Sequence, residues 1–372
     1  MKILLLTRPI CPPWDEGSKN FAFTLANNVH NAEIHILTCG ALENLPKNVI
    51  QHPIYSSPKL NLAQKIKLFW FLKKMDGFDI IHSLFTPTKI NSFFIKRAIK
   101  TKNSKIIQTV ATLREDLYKE DDFKKILFGD LIITYSDYAR EKIEKTGISD
   151  VRRVYPGIDV SKYSPQEKSA VLMEKYGITS QDFVINFTGE YTRLGAIEDV
   201  ISCFLDLADE NSSFKLQLAC RIKNEKDARK KEEVKKRLEI AGILDRVLFF
   251  DDQKFEMPDV YNLSDVSIFP VRTMDGKFDI PLAVIEAMAC EKPMIASSLE
   301  RLKYFLNDSN CILIKPGDRE ALKEKILHLY KNPEVRNELG GKGMRFVREN
   351  FDIMKIVGEY EKIYLEIGGS KH

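Results

Sequence analysis

The chain has no run of about 20 apolar residues, so nothing in it reads as a membrane-spanning helix. Its six cysteines (Cys11, Cys39, Cys203, Cys220, Cys290 and Cys311) are scattered, with no CxxC pair. That spacing excludes a disulfide framework or a zinc ribbon and fits small hydrophobes in a reducing compartment. The six histidines are equally dispersed, with no HxxxH spacing, and no metal site is expected. Low-complexity tracts are missing too. A net charge of +4 is too small to imply nucleic acid without a clustered patch. The start MKILLLT lacks a cleavage site and is too short for a signal peptide; it reads as a first core strand.

What is present is a globular composition: 372 residues, 44% hydrophobic and 30% charged, long enough for two domains. Short apolar runs alternate with helical patterns, the signature of parallel sheets covered by helices. Six strands are expected in the first half, at 3–7, 34–39, 80–84, 105–110, 131–135 and 153–155. Six more are expected at 183–188, 215–219, 247–250, 266–269, 294–296 and 311–314. Two sets of that size predict two Rossmann-like domains, residues 1–164 and 165–350. The polar stretch Ser161–Val171 serves as the linker. In 351–372, Ile356, Tyr360, Ile363 and Tyr364 fall at helical spacing.

The stretch Asp265–Ser297, DVSIFPVRTMDGKFDIPLAVIEAMACEKPMIAS, carries most of the chemistry. It reads as a buried strand, a polar loop, a helix opened by Pro281, and a second strand. Pro is favoured at the first helical position, and the helix start presents N–H groups to an anionic ligand. Glu286 lies in the second turn, inside an apolar run. A lone carboxylate there needs partners, and paired sugar hydroxyls would suit it. At the other end of the chain, Gly17 and Ser18 follow the first strand; Ser18 reads as an N-cap, and Gly17 sits at the first strand–helix turn, where a doubly wound sheet receives ligand. The same Gly also reads as a plain tight turn.

Asp265–Ser297 resembles the signature of the family-4 retaining glycosyltransferases, the glycosyl transferases group 1. Its form is E-G-F-G-x-P-x-x-E-A-M-A-x-G-x-P. Glu286, Ala287, Met288, Ala289 and Pro293 match. Phe278 replaces the first Glu, Asp279 supplies an acid one residue nearer, and Glu291 replaces the Gly. A second resemblance runs through Pro156, Gly157, Ile158, Asp159, Tyr163 and Pro165, where the family has P-N-G-I-D-x-x-x-F-x-P; Asp159 itself reads as a turn former. A third begins the second half, where the family reads G-R-x-x-x-x-K-G. Gly189 and Gly195 remain, one residue closer together than in that pattern, but Glu190 stands in the Arg position and Leu194, just before Gly195, where the Lys belongs.

The resemblance implies the GT-B fold, α/β, with two Rossmann-like domains facing a central cleft and a C-terminal helix crossing back to the first. It implies sugar transfer from a nucleotide-sugar donor, UDP- or GDP-sugar, with retention of configuration and no cofactor or metal. Glu286 would hold the ribose hydroxyls. Asp279, Ile280, Pro281 and Leu282 would face the diphosphate and donor sugar, beside Gly189 and Glu190. Arg193, with Lys277 or Arg272, would balance phosphate charge, although Arg193 also reads as a solvated turn residue. The family's domain-one His is replaced by Ala111, and His82 reads either as its substitute or as a strand-end residue. Acceptors would be a glycan, a lipid-linked sugar or a small molecule, met in the cytoplasm.

Two readings compete with transfer: a catalytically degenerate GT-B protein that binds a sugar nucleotide or protein partner, and a sugar-nucleotide 2-epimerase. Two basic stretches remain. Lys65, Lys67, Lys73 and Lys74 interleave with Ile66, Leu68, Phe69, Trp70 and Phe71, which fits peripheral contact with the inner face of a membrane and equally a helix with a charged outer face. Arg221–Glu239 mixes both signs and reads as a solvated helix with many i,i+4 pairs.

Overall fold

The computed structural model describes residues 1–14, 16–100, 102–251 and 255–369. The chain divides into two units: Met1–Gly157 together with the chain from Ile353 onward, and Ile158–Asp352.

The first unit is a seven-stranded, all-parallel sheet. Its strands are β1 (Lys2–Ile10), β2 (Glu33–Thr38), β3 (Val49–His52), β4 (Ile80–Ser83), β5 (Lys105–Val110), β6 (Leu131–Thr134) and β7 (Val151–Arg153), in the order 3-2-1-4-5-6-7. Ile3, Leu4, Leu5 and Leu6 in succession are fully buried because helices cover both faces. The terminal helix Ile353–Gly369 belongs to this unit. Tyr364 donates or accepts at His82 Nδ1 across 2.7 Å, and Thr109 Oγ1 holds the other ring nitrogen at 2.7 Å. His82 is thus a fully buried residue of β4, and burial pulls its pKa down to about 3.

Two edges differ from expectation. The strand β3 has only four residues and a mixed pattern, too short to announce itself in sequence. The last strand lies two residues earlier than its apolar run suggests: Val151 and Arg153 pair with Ile132 and Thr134. Beyond them the Val154 N–H still donates to the Thr134 carbonyl.

The second unit is a six-stranded parallel sheet of β8 (Phe183–Glu190), β9 (Phe214–Arg221), β10 (Val247–Phe249), β11 (Val266–Phe269), β12 (Met294–Ser297) and β13 (Ile312–Ile314). The order 10-9-8-11-12-13 reverses direction between β8 and β11. In open α/β sheets, ligands bind beyond the carboxyl ends of the strands at such a reversal. The chain enters this unit at Ile158, seven residues before the expected boundary. Ile158 bridges to Asp352, and Asn262 holds both the Ser164 carbonyl (2.9 Å) and the Gln166 N–H (3.1 Å).

Candidate functional site

Glu190 ends β8 at the reversal and is 5% exposed. Three cations converge on it. Arg193 reaches it at 2.9 Å from the following turn, Lys223 at 2.8 Å from the loop after β9, and Lys277 at 3.4 Å from the loop after β11. Burial alone would raise the Glu190 carboxyl. The Lys223 hydrogen bond and the charges of Lys277, Lys223 and Arg193 outweigh it and hold the group below its ordinary value. Burial, with repulsion from Arg193, Lys223 and Arg221, keeps Lys277 below the usual lysine range despite Glu190.

The turn that aims Arg193 is set by its neighbours. Leu194 is fully buried, so the residue at the family's Lys position points into the core. Gly195 follows with φ +71, a left-handed conformation that costs a side chain free energy. Asp227 accepts from Thr192 Oγ1 at 2.6 Å and from the Lys223 N–H at 3.2 Å, which ties the Arg193 turn to the Lys223 loop. The other cation expected here is committed elsewhere: Arg272 makes a two-pronged pair with Asp199 at 2.8 and 2.7 Å.

Beside this cluster stands Glu286, in the second turn of the helix Leu282–Ala289. Tyr261 donates to its Oε2 at 2.9 Å, and the Tyr163 hydroxyl also bonds this carboxylate. Burial raises the Glu286 pKa; the two tyrosine hydrogen bonds and the charges of Lys277 and Arg221 oppose that without cancelling it. Tyr163 is brought in by a turn in which Asp159 Oδ1 accepts from the Ser161 N–H (2.9 Å) and Lys162 N–H (3.1 Å). Beneath lies a buried polar layer. Asn186 donates to Ser267 Oγ at 2.8 Å and accepts from Gln217 at 2.8 Å and Thr188 at 3.3 Å, while Thr188 also bonds Tyr261. A carboxylate with two tyrosines on a fixed polar floor can accept further hydrogen bonds without moving.

The expected residues separate into groups. Glu190, Arg193, Lys277 and Glu286 are brought together, with Gly189 in the same strand end. Asp279 is fully buried and lies 3.7 Å from Arg301, itself 8% exposed, so its charge is spent inside the framework. Ile280 is also fully buried. Pro281 is the N-cap with extended ψ, and the helix begins one residue later, at Leu282. Gly17 and Ser18 lie in the first unit, in the helix Gly17–Asn28 after β1. Glu16, not Ser18, is the N-cap, and it pairs with Arg8 at 2.9 Å.

Sequence reading missed Lys223, Asp227, Tyr261 and the hydroxyl of Tyr163. Lys223 was legible only as part of a mixed-charge run. The helix Glu225–Ile240 does carry such pairs, among them Arg229–Glu225 at 2.9 Å, but Lys223, ahead of that helix, turns into the site. Two clefts of about 540 Å³ elsewhere on this unit include neither Glu190 nor Glu286.

Residues 168–345 match the family described as glycosyl transferases group 1. The N-acetyl-alpha-D-glucosaminyl L-malate synthase of Bacillus anthracis is 23% identical over 357 residues, covering 90% of this chain and 89% of that protein. Among solved structures, Anabaena HepE in complex with UDP and glucose superposes with a TM-score of 0.78 at 15% identity, covering 98% of this chain and all of that one. Sucrose-phosphate synthase from Thermosynechococcus elongatus gives a TM-score of 0.78 at 17% identity over the whole of both chains. The second unit carries the match to the glycosyl transferases group 1, and the fold of the chain is GT-B.

Proposed function

We propose that this glycosyltransferase uses a UDP- or GDP-sugar, transfers the sugar with retention of configuration, and does so without a metal or cofactor. The carrying observation is the pairing of Glu286 with the cation cluster on Glu190 at the reversal of the second sheet. Glu286 accepts from the two ribose hydroxyls, a geometry a carboxylate satisfies with its two oxygens. Arg193, Lys223 and Lys277 face the diphosphate, beside the N–H groups at the start of the helix Leu282–Ala289. When the anomeric C–O bond breaks, its electron pair goes to the phosphate oxygen. Cations fixed beforehand offset that charge, the role a metal plays in other transferases. Glu190 keeps three mutually repelling cations in one place, and the substitution at the family's Arg position thereby supports transfer.

Two neighbours support the donor: HepE was solved with UDP and glucose, and the Bacillus relative is named an N-acetyl-alpha-D-glucosaminyl L-malate synthase. Retention follows the family resemblance. The acceptor is a glycan, a lipid-linked sugar or a small molecule. The six free thiols fit the cytoplasm.

The test is thermal unfolding against UDP-, GDP-, ADP- and TDP-sugars, with and without EDTA, followed by product analysis. A midpoint rise with one nucleotide that EDTA leaves unchanged supports the donor site, and NMR of the product's anomeric centre checks retention. Binding with no turnover of any donor–acceptor pair would favour the degenerate protein.

A further inference from the structure

The first unit carries an apolar ridge on the outward side of two helices. In Leu62–Lys74 the buried residues are Gln64, Leu68 and Leu72, at four-residue spacing. A second series at the same spacing, Leu62, Ile66 and Trp70, is 72%, 51% and 58% exposed. The helix Lys89–Ile99 repeats the arrangement: Ser92, Ile95, Ala98 and Ile99 are buried, while Ile90, Phe93 and Phe94 are 63%, 62% and 50% exposed. The helices pack together, and rings join their stripes: Trp70 to Phe69 at 5.7 Å, Phe69 to Phe94 at 6.3 Å, Phe94 to Phe93 at 5.6 Å. Isolated exposed apolar residues need no explanation, but a joined patch does.

Charge selects the partner. The two helices hold seven basic residues and no Asp or Glu, in a chain whose totals are nearly balanced at 57 and 53. Lys89 pairs with Asp122 at 2.9 Å, whereas Lys65, Lys67, Lys73, Lys74 and Arg97 have no acidic partner among the described residues. A second copy docked here would set two cationic rims against each other. An anionic bilayer satisfies both features, because rings settle at headgroup depth while lysine stems extend toward phosphates. No described helix is long and apolar enough to cross a membrane.

We propose that this two-helix ridge docks the protein on an anionic lipid surface, with Trp70, Phe93 and Phe94 among the headgroups. It rests on the first unit alone and does not depend on the donor reading. The experiment is flotation of the full chain with phosphatidylcholine vesicles, with and without phosphatidylglycerol, across a salt series. Expected is binding to the anionic vesicles only, weakened by salt. Trp70→Ser with Phe93→Ser, or Lys65→Gln with Lys67→Gln, should each lower partitioning about tenfold. All four side chains are at the surface, so the unfolding midpoint and its nucleotide-induced rise should stay as in wild type. Binding to neither vesicle, binding that both double variants retain, or a dimer in solution that the variants abolish and vesicles do not disperse would each overturn the proposal.

Discussion

Lys277 Nζ stands 3.4 Å from Glu190 Oε1, and the same charge acts on Glu286, so one lysine connects the two carboxylates of the second unit. It reaches that place from the loop after β11, while Glu190 comes from the end of β8, the two strands between which the sheet reverses. Removing Lys277 should therefore be felt at the phosphates and not at the base. We expect Lys277→Ala to weaken UDP binding by about tenfold or more, the size of one charge-assisted contact. Uridine affinity should remain close to wild type. Calorimetry on both ligands checks this; equal losses would mean that Lys277 supports the fold and does not face the diphosphate.

The pH dependence of donor binding should be narrower than ordinary carboxylate and lysine values allow. Glu286 must be ionised to accept hydroxyls, and burial raises its pKa, so affinity falls on acidification above the usual carboxylate range. Lys277 must be protonated, and its pKa is lowered by burial, so the alkaline limb lies below the usual lysine range. Tyr163→Phe removes a hydrogen bond that favours the ionised form, which moves the acid limb further up. A profile in which Tyr163→Phe leaves that limb in place would show that another group sets it.

Most of this architecture is legible from residues alone, because each parallel strand is buried on both faces and reads as an apolar run. The edge strands of the first sheet are the exception. Val49–His52 and Val151–Arg153 have one neighbour each, and their mixed residues follow no period. At the site, the Glu286 motif identifies a helix and its acid, but ion pairing is a matter of three dimensions. Glu190 looks like a lost Arg until Arg193, Lys223 and Lys277 are seen around it. Tyr163 looks like a conservative exchange for Phe until its hydroxyl meets Glu286. Asp279 fails in the opposite sense: its spacing suits an acid pair, yet its side chain is buried beside Arg301.

Acid should destabilise the first unit through His82. The fold holds the neutral imidazole between Tyr364 and Thr109, with a pKa near 3 against 6.5 for the free side chain. The unfolded chain therefore binds a proton over a window in which the native state does not. Stability is full above about 6.5 and is lost as pH falls toward 3. At about pH 4.5 the loss should be roughly 2 to 3 kcal/mol. Urea titrations at neutral pH and about pH 4.5 check it. His82→Gln should start less stable and change less between the two; a variant with the wild-type slope would assign the effect to other groups.

Glu291 occupies a place built for glycine. It follows the helix Leu282–Ala289 with φ 61, a left-handed conformation that a side chain adopts at a cost of about 1 kcal/mol. The family's motif has Gly here, which explains the motif physically: the chain must turn sharply into β12. The helix Pro333–Asn350 presses on the same turn, where a Cβ on Gly340 would collide with the Glu291 carbonyl oxygen. Glu291→Gly should relieve the strain and raise stability by about 0.5 to 1 kcal/mol, reduced by the greater freedom of Gly in the unfolded chain. Gly340→Ala should do the reverse, costing about 1 to 3 kcal/mol, because backbone and not a pliable side chain blocks the new methyl. Combining the two is informative. If the turn can move once Glu291 is replaced, the double variant recovers part of the Gly340→Ala loss, and the two changes are non-additive. Strict additivity in chemical denaturation would place the strain at Glu291 in its own backbone, with no share in the contact with Gly340.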